Sequence, residues 1–435
     1  MYNVSMINLT IDNLGMNFEG VARLDNKVYF VPYALIGENV EAVIKEDKGK
    51  FAKGQLTKVN NSSSDRVVPL CPYFYDCGGC NVQHLNYGKQ LEFKAKHIKE
   101  TLNKVAGIDF DVNLTIGSQN TYFYRNKGAF PITNGEIGMF KENTHDLISI
   151  SQCFLMNDNI TKALKIIRKY LKINNLKGFD FNKYCGDTKF AVIRSVNNQT
   201  LVCLVATKVL PNLEDLYIDL LNEIGEVGLY LNINTQKNST ILGNTYKHVN
   251  GIKYISIKEL GISYNVDIAS FLQINNEIKL KLYEKVLSEV EDEIVIDAYA
   301  GAGLLSAIVS KKAKKVYSVE IVPNASRNAK SLVKSNNIIN MEVINGDCSK
   351  VLPKLQKEIN KEFTLILDPA HIGCDKNVIN VAKNANKIIY ISCNPIALSK
   401  DLKELVKTHN INYIQPYDMF PQTKHVETLV SLIKK

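Results

Sequence analysis

The chain has 435 residues, long enough for about two to four domains with ample cores, and 53 Lys and Arg against 44 Asp and Glu leave it at +9. That balance is modestly basic and compatible with a polyanionic partner. No apolar stretch approaches the ~20 residues that cross a bilayer, and Met1-Tyr2-Asn3 opens no secretory signal, so a membrane or secreted protein is excluded and a soluble, cytoplasmic one is expected.

Residues 1 to about 60 carry short alternating segments, Lys27–Val31 and Glu38–Ile44, separated by Gly and Asn, and predict a small antiparallel barrel of a kind that often binds nucleic acid. Asn60–Asp65 is polar and turn-forming, a natural linker. Next comes Cys71-Pro72-Tyr73-Phe74-Tyr75-Asp76-Cys77-Gly78-Gly79-Cys80. Three thiols within this segment, with glycines that let the backbone fold back, point to metal ligation, and Cys153 can supply a fourth. Four thiolates suit zinc or an iron–sulfur cluster equally. Gln90 to Lys104 is an amphipathic helix with Leu91, Ala95, Ile98 and Leu102 on one face; Lys89, Lys94, Lys96 and Lys99 are read as its solvated side. From Tyr122 to about Lys253, β-rich stretches surround one helix near Thr161–Leu171, an α+β region. Cys185, Cys203 and Cys348 lack a spacing partner and are assigned to structure.

A helix over Asn276–Glu291 precedes an alternating pattern. The strand Glu293–Asp297 leads through Ala298-Tyr299-Ala300-Gly301-Ala302-Gly303 into the helix starting at Leu304, a nucleotide-type turn. The strand Lys315–Val319 ends in Glu320, placed to accept hydrogen bonds from a ribose diol. Met341–Asn345 leads to Gly346-Asp347, a candidate adenine contact; Phe363–Leu367 delivers Asp368-Pro369; Lys387–Ile391 delivers Ser392-Cys393-Asn394-Pro395. The missing third glycine and the early acids Asp297 and Glu320 fit S-adenosylmethionine better than a dinucleotide, whose pyrophosphate needs a full Gly-x-Gly-x-x-Gly turn.

The segment Phe30–Glu38, the cysteines with Cys153, Tyr124-Arg125-Asn126-Lys127, Ser270-Phe271-Leu272-Gln273-Ile274-Asn275, the Gly301 loop, Asp368-Pro369, Ser392–Pro395 and His425-Val426-Glu427-Thr428 are together similar to the RNA uracil-C5 methyltransferase family. Within it the chain resembles the bacterial 23S rRNA branch, which carries an N-terminal TRAM domain and a [4Fe-4S] cluster. The resemblance implies a TRAM barrel of OB-like type over 1–60, a central α+β domain over 61–255 carrying the cluster on Cys71, Cys77, Cys80 and Cys153, and a Rossmann-like methyltransferase domain over 256–435. It implies a monomer acting on 23S rRNA. Uracil C5 is too weak a nucleophile to take a methyl group unaided; a thiolate adding at C6 makes the ring an enolate, and a base later removes the C5 proton. The resemblance gives the first role to Cys393 and the second to Glu427. It places Gln273 on the cofactor, with Asp297, Gly301, Gly303, Glu320 and Asp347 around it and Asp368 beside cofactor and base.

The tRNA branch of the family generally lacks the TRAM region and the cysteines. Alternatives to the rRNA enzyme are a tRNA uracil-C5 methyltransferase and an RNA-binding assembly factor with little turnover. One departure stands out: the family usually follows Asp-Pro with Pro and Arg, and this chain has Ala370 and His371, exchanging a permanent forked cation for an imidazole.

Overall fold

The computed structural model describes residues 6–291 and 293–435; the Met1-Tyr2-Asn3 start lies outside them. Alternation of apolar and polar residues along Asn39–Asp47 buries Val40 and Ala42 on one face, and five further strands continue the pattern. The sheet order is Met6–Thr10, Asn39–Asp47, Phe51–Asn61, Lys27–Val31, Gly20–Leu24, Asn13–Leu14. Three register shifts between Asn39–Asp47 and Phe51–Asn61 curl it around Val31, Val40 and Ala52. The expected antiparallel pairing holds except where Lys27–Val31 runs parallel to Phe51–Asn61.

The polar stretch after the barrel is docked rather than free. Glu38, fully buried, accepts from Ser63 N at 3.2 Å and takes a bidentate pair from Arg66, Nε to Oε1 at 2.6 Å and Nη2 to Oε2 at 2.7 Å.

The helix Tyr87–Ala106 begins on Asn86, whose side chain accepts from Gly88 N, and ends at Gly107 in a left-handed conformation (φ 69°). Its apolar face, with Ile98 and Leu102, packs into the C-terminal domain beside Leu398 and Leu402 of the helix Pro395–Leu405. The helix therefore belongs by packing with the C-terminal sheet, although it precedes the central region in sequence. Lys89, Lys96 and Lys99 meet Glu92, Glu100 and Asp111 on the solvated side, as the sequence predicts. Lys94 does not. It is fully buried, and its Nζ donates to Asp418 Oδ1 at 2.6 Å and to the Phe420 carbonyl at 3.3 Å. One turn of 100° per residue puts position 94 on the flank of the apolar stripe, and the C-terminal domain supplies the carboxylate that permits burial.

The central sheet has seven strands, ordered Thr245–Gly251, Val227–Ile233, Gln199–Ala206, Thr188–Val196, Lys127–Thr133, Glu136–Phe140, Leu147–Ser149. The helices Asp158–Ile173 and Leu213–Ile224 cover one face through Leu164, Ile167, Leu216 and Leu220. On the other face Val192, Leu201, Cys203 and Val205 share a core with the hairpin Ile255–Val266 and the helix Asn276–Ser288, so the two larger domains are cemented together.

The C-terminal sheet is ordered Met341–Asn345, Lys315–Glu320, Ile294–Ala298, Thr364–Leu367, Lys387–Ser392, Glu427–Lys434, His409–Tyr417. The first five strands are parallel, the last two antiparallel. All five parallel strands end on one edge, where open α/β sheets bind ligands. No described helix is long and apolar enough to cross a membrane.

Lys94 is the sharpest test of this packing. Lys94→Met leaves Asp418 buried without its cation and is expected to cost about 3–5 kcal/mol in urea denaturation. Lys96→Met, on the exposed side of the same helix, is expected to change stability by less than about 0.5 kcal/mol; equal effects for the two would contradict the assignment.

Candidate active site

The strand ends deliver the polar groups. Asp297 closes the first strand, fully buried, and accepts from Ser306 Oγ at 2.5 Å; burial pushes its carboxyl up to about 7. Gly301 follows at φ 56° and its amide donates to Glu320 Oε2 at 2.9 Å. Glu320 Oε1 accepts from Val322 N at 2.6 Å, so both carboxylate oxygens are oriented by the backbone. Gly303 lies at φ 76°, and a Cβ there would meet Ala329 Cβ at 2.8 Å. Glycine thus permits both the turn and the close approach of the helix Pro323–Ser335. Asp347 is occupied differently from the sequence expectation. It caps the helix Cys348–Ile359, accepting from Ser349 N at 2.9 Å, and is not part of the cavity wall.

A cavity of about 1450 Å³ runs along this edge, lined by Gln273, Asp297, Gly301, Glu320, Asp368, Cys393 and Glu427, with Arg125, Phe271, Tyr283, His371 and His425. It exceeds the ~300–1,000 Å³ typical of one small-molecule site, leaving room for two ligands side by side. Three carboxyls in it are buried. Asp368 is pushed up by burial and then by Asp297, and Glu427 well above its usual range by burial and then by Asp368. No Lys or Arg among the described residues offsets these three. The Cys393 thiol is pushed up to about 12, first by burial and then by the charges of Glu427 and Asp368. Its Sγ lies 3.3 Å from His371 Nδ1.

The wall opposite the strand ends is the segment Ser270–Asn275. Asn126 holds it twice, Nδ2 donating to the Gln273 carbonyl at 2.9 Å and the amide to the Ile274 carbonyl at 3.1 Å; Arg194 Nη2 donates to the Ser270 carbonyl at 2.5 Å. Leu272 is buried, whereas the Phe271 ring is 75% exposed at the cavity rim, which rules out a core-filling role for it. Arg194 was missed in the sequence; the available signal is a guanidinium in the middle of the apolar strand Thr188–Val196.

The cysteine segment abuts the same cavity through Gly79. Gly78 is required there, since a Cβ would meet the Glu142 backbone at 2.9 Å. The four thiols Cys71, Cys77, Cys80 and Cys153 are free, and the charge of Cys153 raises the proton affinity of the other three. The Gly79 amide donates to Cys77 Sγ at 3.4 Å. Burial pushes Cys77 up to about 11 and Cys80 to about 12. Among the described residues no three His, Cys, Asp or Glu side chains are grouped to hold a metal ion. The arrangement therefore gives no support to a mononuclear zinc, whose sulfurs would all stand ~2.3 Å from one point.

Comparison with known proteins follows the same division. A profile of the tRNA (uracil-5-)-methyltransferase family matches residues 86–435, and a TRAM domain profile matches residues 1–57. An uncharacterized RNA methyltransferase of Clostridium acetobutylicum is 37% identical over 442 residues, covering 98% of this chain and 96% of its own. One of Listeria innocua is 33% identical over 442 residues, covering 99% and 98%. Among solved structures, the Pyrococcus abyssi tRNA (uracil-54, C5)-methyltransferase in complex with S-adenosyl-L-homocysteine is similar with a TM-score of 0.81, over 98% of this chain and 99% of its own, at 24% identity. That likeness is one of fold and includes the N-terminal region.

The buried acids give a pH dependence. Asp297 binds its proton more tightly folded (about 7) than unfolded (3.8), so its contribution is present below the unfolded value and is lost as pH rises through the folded one. The ligand-free Tm of wild type is expected to fall more steeply from pH 4.5 to 7.5 than that of Asp297→Asn; parallel curves would refute the burial of an uncompensated carboxyl.

Proposed function

The chain belongs to the RNA uracil-5-methyltransferase family, and from that premise we propose that it methylates C5 of a uridine, foremost in 23S rRNA, through a covalent adduct on Cys393. The observation that carries this reading is one cavity that brings together the Cys393 thiol and the Glu427 carboxyl, beside the Gly301–Glu320 turn at the strand ends.

S-adenosylmethionine, when bound, supplies an electrophilic methyl group. Gln273, Asp297, Gly301, Glu320 and Asp368 are the residues that would hold it. The uncompensated buried carboxyls fit a cationic ligand. The Cys393 thiolate adds to C6, and the C5=C6 electron pair moves into an enolate, so that C5 becomes nucleophilic. After C5 is methylated, Glu427 takes the C5 proton, the double bond re-forms and the thiolate leaves. The high proton affinity of Glu427 suits a base that must hold that proton in a dry site. The target base must leave any stack to reach Cys393, and the exposed Phe271 ring at the rim offers it a flat apolar face.

Cys71, Cys77, Cys80 and Cys153 would hold a [4Fe-4S] cluster, one thiolate per iron, a reading supported by their being free thiols and by the spacing of the first three. No redox step is needed, so its role is to organise the segment beside the cavity. A tRNA target is the second reading, favoured by the end-to-end fold likeness to a tRNA enzyme. Mapping 5-methyluridine in rRNA and tRNA from cells with and without the gene decides between them; loss from neither refutes the function.

Cys393→Ala is expected to reduce methyl transfer to background, and wild type to form a gel-stable adduct with 5-fluorouridine RNA, since fluorine cannot leave C5 as a cation. Glu427→Gln should slow release of the adduct on ordinary RNA by on the order of 10²–10⁴; release at the wild-type rate would assign the base elsewhere. Anaerobically purified protein is expected to be brown, with about four irons per chain, and stoichiometric zinc without iron would overturn the cluster assignment.

A further inference from the structure

We propose that His371 is the proton acceptor that converts Cys393 from thiol to thiolate, so that this chain begins its reaction from a Cys–His pair. The proposal rests on the methyl-transfer reading for its use, but it concerns the thiol itself. Three observations carry it.

The first is contact. His371 Nδ1 stands 3.3 Å from Cys393 Sγ and Nε2 3.9 Å, within reach of a proton transfer between sulfur and nitrogen. With the ring proton on Nε2, Nδ1 is the acceptor.

The second is need. Cys393 is half-buried and faces Asp368, from the end of the strand Thr364–Leu367, and Glu427, from the antiparallel neighbour strand; both charges oppose ionisation of the thiol. Neither carboxyl is hydrogen-bonded to the sulfur, whose side-chain contact among the described residues is the His371 ring. The remaining titratable neighbour is His425, which faces His371. Burial lowers its proton affinity, and Lys424, Lys94, His371 and Arg125 lower it further. His371 is itself exposed, so water can solvate the imidazolium.

The third is placement. Asn394, the residue after the thiol, donates from Nδ2 to the His371 carbonyl at 2.7 Å while its Oδ1 caps the helix Pro395–Leu405. On the other side, Gly373 turns at φ 83° with its amide on the Ala370 carbonyl at 2.9 Å, and the Cys374 amide donates to Asp401 Oδ2 at 2.8 Å. The loop is thus fastened at both ends and the imidazole is aimed at one sulfur. Ala370 and His371, the departure from the family pattern, form one device: the imidazole does what a guanidinium, permanently protonated, cannot.

The step balances. The S–H proton moves to His371 Nδ1 and the sulfur lone pair forms the bond to C6. When Glu427 removes the C5 proton, the re-formed C5=C6 bond expels the thiolate, which takes its proton back from the imidazolium.

The test is alkylation of Cys393 by iodoacetamide in the ligand-free full-length protein, read on the Cys393 peptide by mass spectrometry from pH 6 to 10, with Cys393→Ala as blank. His371→Asn keeps a polar group near Nδ1 that cannot accept a proton, and His371→Gln does the same near Nε2; the side chain is exposed, and thermal melting confirms that both variants fold. At pH 7 both are expected to alkylate at least tenfold more slowly than wild type, with the gap closing towards pH 10, and adduct formation with 5-fluorouridine RNA should slow in parallel. Added imidazole should restore part of the rate to His371→Gly. Superimposable alkylation profiles for wild type and both variants overturn the pair. If wild type methylates RNA and His371→Asn does so equally fast, the pair falls and the methyl-transfer reading stands. If no RNA is methylated while alkylation still depends on His371, that reading falls and the pair stands.

Discussion

The buried contact of Lys94 with Asp418 is the fastening on which the rest of the site depends. Asp418 also accepts from Tyr87 Oη at 2.9 Å, so both charges of the pair are hydrogen-bonded within the first two turns of one helix. The loop that starts at Asp418 then gathers the other domains. Gln422 exchanges side-chain and backbone contacts with Gln90, its carbonyl receives the amides of Asn81 and Val82, next to the cysteine segment, and the Pro421 carbonyl receives Tyr124 Oη from the central region. The same loop runs on to His425 and Glu427 in the cavity. A charge pair in a dry core is costly unless geometry is good, and its use here is to fix one register among three parts of the chain.

What that fastening positions is a cavity with an electrostatic deficit. Asp297, Asp368 and Glu427 are buried on one cavity, none of them paired with a Lys or Arg among the described residues, and Cys393 lines the same cavity. In a solvent-poor site such charges act strongly and at no cost of reorganisation during reaction. The deficit stabilises a cationic ligand and at the same time suppresses the thiolate, and these two demands conflict. The exposed imidazole of His371, 3.3 Å from the sulfur, is placed to resolve the conflict by taking the thiol proton locally.

Much of this was legible in the sequence for definite reasons. Strand ends in a parallel sheet are marked by apolar runs that stop at Asp297, Glu320, Asp368 and Cys393, and all four stand at the cavity because βα units leave their C-terminal ends on one edge. Asp347 obeyed the same pattern but was claimed by a local interaction, the Ser349 amide, which strand periodicity does not report. Lys94 was misread because helical spacing alone cannot know that Asp418, 324 positions away, arrives on its flank. The His371 contact was invisible for a like reason: the two residues are 22 positions apart on successive strand ends, and only the turn at Gly373 brings the ring onto the sulfur. Around the exposed ring of Phe271, the Asn126 and Arg194 side chains grip the carbonyls of Gln273 and Ser270, backbone acceptors that carry no sequence signature of their own.

The central claim is that a uridine carbon, C5, exchanges its proton for a methyl group in this cavity. RNA labelled with tritium at uridine C5 and offered with carbon-labelled methyl donor tests it directly. The account predicts tritium released to water in step with methyl groups gained by RNA, one for one. Methyl groups gained with the tritium retained would place the chemistry on another atom and contradict it.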